Sequence, residues 1–131
     1  MVGLDTNVLV RFLIRDDESQ FARSRRLIQR GAARGEPVLL CLLVLLETEW
    51  VLRSRYDLAK SEIAAAFSAL LESSELVFED EASVEQALYL WKDSNAQFAD
   101  CLIGARHWAL ECRATASFDA GALRLPGFIA P

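Results

Sequence analysis

The chain has 131 residues, 53% hydrophobic and 25% charged, a composition that excludes a disordered segment and supplies enough apolar side chains for one buried core. Its net charge of −5 and pI of about 4.9 exclude a protein coated in positive charge. The balance is uneven, however: residues 1–60 carry ten Lys and Arg against eight Asp and Glu, and residues 61–131 four against eleven, so the first half is the better side for a polyanion.

In chain order, residues 2–5 (VGLD) form a short apolar run expected as a buried strand. Residues 6–14 resume as a helix with Leu9, Phe12 and Leu13 at helical spacing, and RDDES ends it. Ser19 is expected to cap a second helix reaching Arg34. That helix sets Arg23, Arg25, Arg26, Arg30 and Arg34 around Phe21, Leu27 and Ile28; it reads as a solvated face, with phosphate contact as the alternative. Residues 38–41 are the second strand. The run VLLCLLVLL that contains them is nine residues long, far short of the roughly 20 needed to span a bilayer. A helix over residues 43–55 follows, then one opened by Ser61 in which Ile63, Phe67, Leu70 and Leu71 share a face. Residues 76–78 make a third strand. Ser83 and Gln86 have capping-box spacing for a helix through Trp91, another helix covers residues 99–111, and residues 114–117 and 128–129 are the last strands.

Strands separated by helices predict the α/β class, a parallel sheet wrapped on both faces with sites at the carboxyl ends of its strands. One domain over residues 1–131 is the expectation. Cys41, Cys101 and Cys112 are odd in number and lack metal-ligand spacing, as expected of core thiols in a reducing compartment. Asp5 and Arg11 interrupt the apolar run that a signal peptide requires, so a cytoplasmic location is expected.

Four acids interrupt apolar segments instead of joining charged runs: Asp5 after VGL, Glu47 within LLVLLETEWVL, Asp100 within FADCLIGA and Asp119 after TASF. In this fold class Asp5 and Asp119 fall just past strand ends, with Glu47 and Asp100 on helices near the same edge, and all four are expected to converge. Each also has a plainer role open to it. Asp5 suits a helix cap, Glu47 a helix surface, Asp100 a first-turn charge favoured by the helix dipole and Asp119 a turn before Gly121. Convergence is costly, since like charges about 4 Å apart repel by roughly 4 kcal/mol at an effective dielectric of about 20. Protonation of one member offsets this, and a hard divalent cation does so better for four acids. Oxygen ligands in a chain with a single histidine suit Mg²⁺ or Mn²⁺, and the chemistry of such a site is metal-assisted attack of water on a phosphodiester.

The segments GLDTNVLVRFL, LLVLLETEWVLRSRYDL, FADCLIGA and TASFD, in this order and over nearly the whole chain, resemble the PIN-domain family, and within it the VapC-type toxins of bacterial toxin–antitoxin pairs. The resemblance implies a PIN-like α/β/α sandwich with a short, mostly parallel central sheet, formed by residues 1–131 as a single PIN domain. It implies a Mg²⁺-dependent (or Mn²⁺-dependent) endoribonuclease whose catalytic acids are Asp5, Glu47, Asp100 and Asp119. Asp5, Asp100 and Asp119 would hold the metal and Glu47 complete the acidic pocket. Thr6 and Asn7 match the polar pair after the first acid and support its carboxylate by hydrogen bonds, and Ser117 supports the last acid. An RNA substrate, a cognate antitoxin, a homodimer and no membrane association are implied as well.

Two positions depart from the family pattern: Gln97 stands where many relatives have an acid, and Ser117 where Thr is common, so a single metal ion is expected. A receiver-type signalling domain also binds Mg²⁺ through acids at strand ends, but it needs a paired acid at the first strand and a lysine late in the chain, whereas the last lysine here is Lys92. A catalytically silent RNA-binding PIN domain is disfavoured by the complete quartet. His107, seven residues after Asp100, reads as a structural or interface residue, and Trp50, Trp91 and Trp108 as core or dimer packing.

Overall fold

The first apolar run contributes a single residue to sheet pairing before the chain turns into a helix. In the computed structural model, which describes Met1–Pro131, Gly3 bridges Leu39 in parallel. The Leu39 amide donates to the Val2 carbonyl at 2.8 Å and the Leu4 amide to the Leu39 carbonyl at 3.0 Å. The expected strand over residues 2–5 is therefore reduced to this bridge, because Asp5 already caps the helix that follows. The chain divides into two units, Met1–Asp80 and Glu81–Pro131.

The first unit contains α1 (Thr6–Leu13), α2 (Glu18–Ala33), β1 (Val38–Leu40), α3 (Leu42–Ser54), α4 (Lys60–Glu72) and β2 (Leu76–Phe78). The strands β1 and β2 pair in parallel, Val38 opposite Leu76 and Leu40 opposite Phe78. Helix α1 packs on α2 and α3, and α4 on α3 and β2. The apolar periodicity supplies the buried positions: Leu9 and Val10 on α1, Leu45 and Leu52 on α3, and Ile63, Phe67 and Leu70 on α4. Each such side chain contributes about 1.5–3 kcal/mol when fully buried. On α1 the buried stripe is Thr6, Leu9 and Val10, leaving Phe12 and Leu13 half-buried.

Helix starts differ from expectation where a group other than the nearest serine reaches the free amides. Asp17, not Ser19, caps α2, its Oδ1 accepting from the Gln20 amide at 2.9 Å. Helix α4 begins at Lys60 rather than Ser61, because Glu62 folds back and accepts from the Ala59 amide at 3.1 Å. Helix α3 has no cap from its own start; the Leu42 amide donates to Glu79 Oε1 at 3.0 Å, a group that arrives at the end of β2.

The second unit contains α5 (Glu81–Lys92), α6 (Phe98–Ala109), β3 (Thr115–Ala116), a 3₁₀ turn (Ala122–Arg124) and β4 (Phe128–Ile129). Helices α5 and α6 pack against each other, burying Val84, Ala87, Leu88 and Trp91 on one and Phe98, Cys101, Leu102 and Ala105 on the other. The Trp91 and Phe98 rings meet at 5.1 Å, tilted by 59°, an arrangement that suits their quadrupoles. Helix α5 starts at Glu81, so Ser83 is no cap; it is buried with its Oγ 3.5 Å from the Ala105 carbonyl. Strands β3 and β4 also pair in parallel. Gly127, at φ +80°, makes the turn into β4 in a conformation that side chains disfavour. His107 Nδ1 lies 2.8 Å from Thr115 Oγ1, tying the end of α6 to β3.

All strand pairing is parallel and helices separate the strands, the α/β class that the alternation of elements predicts. Of the three thiols only Cys101 is buried; Cys41 is half-buried, and Cys112 is exposed because α6 ends at Ala109. Trp91 is a core residue, whereas Trp50 and Trp108 are exposed. No helix is long and apolar enough to cross a membrane.

Candidate functional site

Asp5 occupies the cap of α1. Its Oδ1 accepts from the Thr6 amide at 2.8 Å, while its backbone carbonyl accepts from the Val8 and Leu9 amides, both at 3.1 Å. The side chain is exposed and its Oδ2 has no partner. The tripeptide Asp5-Thr6-Asn7 therefore divides its work. Asp5 is held by a backbone amide of Thr6, whose own side chain is buried, and Asn7 is exposed and makes no hydrogen bond to Asp5. Thr6 thus supports the carboxylate through its backbone, and side-chain support from Thr6 and Asn7 is not what the structure contains.

Glu47 lies on the exposed side of α3 with no hydrogen bond or ion pair. Its neighbours take the opposite face. Glu49 is buried and accepts from Arg53 Nε at 2.8 Å, and Thr48 is fully buried with a hydroxyl that has no partner.

In the second unit Asp100 sits in the first turn of α6 and Asp119 follows β3. Asp119 is fixed from two directions. Its Oδ2 accepts from the Ala122 amide at 2.9 Å, and its own amide donates to Ser117 Oγ at 3.0 Å. Gly121 leaves room for this: a side chain there would begin 3.2 Å from Asp119 Oδ2. Oδ1 of Asp119 has no partner. Asp100 is half-buried, and desolvation pushes its carboxyl above the ordinary carboxylate range. The negative charge of Asp119 acts in the same direction, and a hydrogen bond from the Gln97 backbone opposes both. Gln97 itself caps α6 with an exposed side chain that makes no capping bond.

The structure therefore brings Asp100 and Asp119 within electrostatic reach of each other in one unit and carries Asp5 and Glu47 in the other. Within neither unit do three His, Cys, Asp or Glu side chains gather as a metal-binding group. The donor chemistry fits a hard divalent cation nonetheless: at Asp5 and Asp119 one oxygen is oriented by a backbone amide while the other is free, and a cation relieves the repulsion felt at Asp100. The supporting groups differ in how the sequence signals them. Gly121 carried a signal in its spacing from Asp119. Glu79 did not, because its target lies 37 residues earlier.

A carboxylate with one oxygen held by a backbone amide and the other free, as at Asp5 and separately at Asp119, is a hard oxygen ligand of the kind divalent cations take. The family model described as PIN domain matches residues 2–126, and the chain belongs to the PIN-domain family, whose fold is of the nuclease type. It is a hydrolase of the nuclease type, acting on nucleic acid. Among curated proteins none matches the sequence.

Proposed function

We propose that residues 1–131 act as a single PIN domain, a Mg²⁺-dependent endoribonuclease that is the cytoplasmic toxin of a VapBC-type toxin–antitoxin pair. The observation that carries this reading is the state of the carboxylates. Asp5 and Asp119 each have one oxygen held by a backbone amide and one free, and Asp100 is desolvated beside the Asp119 charge. In this reading Asp5, Asp100 and Asp119 hold the ion, Mg²⁺ or Mn²⁺, and Glu47 adds a fourth carboxylate. A divalent cation bound there would activate water and neutralise a phosphate oxygen. The chain's own residues do the rest. The Thr6 and Ala122 amides orient their carboxylates, and Ser117 fixes the Asp119 backbone.

A cognate antitoxin is expected to inhibit by setting an arginine against these acids. A homodimer is in keeping with the large exposed side chains Tyr89, Trp108 and Phe118. The test is RNA cleavage by purified protein with Mg²⁺, with the fragment ends sequenced, comparing the parent with Asp5→Asn. The amide keeps the cap's shape and removes an anionic ligand, so the variant should keep its circular dichroism spectrum and lose cleavage. Undiminished cutting by Asp5→Asn would sink the assignment.

A further inference from the structure

We propose that the arginine-lined groove between α1 and α2 binds the phosphodiester backbone of a single RNA strand; the identity of the strand rests on the endoribonuclease reading above. The groove lies wholly within the first unit and encloses about 560 Å³. Its walls include Asn7 and Arg11 from α1 and Arg23, Arg26 and Arg30 from α2, with Leu27 as an apolar patch between them. Arginines 23, 26 and 30 stand at i, i+3 and i+7, one stripe running about 10 Å along the helix. Arg25 and Arg34, the other two arginines of this segment, do not line the groove.

The charge of the three α2 arginines in the groove is also uncompensated. Arg23, Arg26 and Arg30 make no ion pair, and the acids nearest in sequence are already engaged. Asp16 pairs with Arg11 at 2.9 Å and accepts from the Tyr56 hydroxyl at 3.1 Å, Asp17 caps α2, and Glu18 pairs with Arg15 at 3.0 Å. Residues 1–34 as a whole carry seven arginines against four acids in a chain of net charge −5. Guanidinium forks match phosphate oxygens in geometry as well as charge, and Leu27 offers an apolar surface to a base. Asn7 lines the same groove from α1, and its amide can donate to a phosphate oxygen or a base.

The test measures binding without cleavage: a fluorescent 2′-O-methyl RNA oligonucleotide titrated with the full chain in chelator, over a series of salt concentrations. The parent is compared with a triple variant, Arg23→Gln, Arg26→Gln and Arg30→Gln, whose exposed positions leave the melting temperature as a check on folding. The variant should bind about ten-fold weaker or more, with a log–log salt slope shallower by about 2, since each phosphate contact on a single strand contributes about 0.7. Equal affinity and slope in a folded variant overturn the proposal. So does a polyglutamate probe that loses affinity where RNA does not, since the groove then takes an acidic protein segment. Arginine-dependent binding by a parent that cuts no RNA in Mg²⁺ would remove the nuclease reading and leave the groove standing. Cleavage with arginine-independent binding would do the reverse.

Discussion

At Asp100, burial and the Asp119 charge act in the same direction, raising the carboxyl above its ordinary range. The folded state thus holds this proton more tightly than the unfolded chain. The group's contribution to stability is fully present below the unfolded pKa of about 3.9 and is lost as pH rises through the folded value. Asp100→Asn can still accept the Gln97 bond but carries no charge. In chelator at pH 7 it should melt a few degrees above the parent at most, with the difference vanishing near pH 3, as followed by calorimetry; a lower melting temperature at pH 7 would mean that the charged carboxylate is favoured where it lies. Thr48 makes a separate case, being fully buried with an unpartnered hydroxyl. Thr48→Val keeps the shape, removes the desolvated oxygen and should stabilise by about 1 kcal/mol in urea unfolding. No gain would reveal an unseen partner for that hydroxyl.

Among the elements, what was legible in the sequence is what periodicity encodes. The order of helices and strands follows from apolar spacing, and β2 falls on residues 76–78 as read. Helix starts were less legible, because a cap is a contact and three plausible serines lost to other groups. Asp17 outcompetes Ser19, Glu62 reaches back from inside its helix, and Ser83 lies in a helix that has already begun. The carboxylates were legible as acids breaking apolar runs, whereas the free oxygen on each was not, since backbone amides decide it. The α2 arginines showed their number but not the concavity they face. Glu79 is the strongest case of a long-range contact, supplying α3 with a carboxylate acceptor at a helix start, where the dipole favours it. Glu79→Ala should cost about 1 kcal/mol, measured by chemical denaturation; an unchanged midpoint would show that water serves the Leu42 amide equally well.

For the whole molecule, the uneven charge seen in the sequence does not follow the two units. Met1–Asp80 carries ten basic against thirteen acidic residues and Glu81–Pro131 four against six, so the positive excess belongs to the α1–α2 segment and not to a unit. Metal binding is read at this scale as well. If the carboxylates hold one ion, saturating Mn²⁺ should raise the melting temperature by mass action, worth about 2.7 kcal/mol at a hundred times the dissociation constant. A calorimetric titration should give one site, weakened in Asp119→Asn. An unshifted melt, or equal affinity in that variant, would exclude Asp119 as a ligand. The Glu79 contact has one more consequence, in the order of synthesis. A ribosome makes Leu42 long before residue 79, so the nascent α3, with Glu47 on its exposed side, emerges with its first turn open. It receives its acceptor only when β2 arrives to pair with β1. Released fragments ending between residues 55 and 78 should therefore present a frayed first turn of α3 to proteases, and chains that include Glu79 and β2 should protect it.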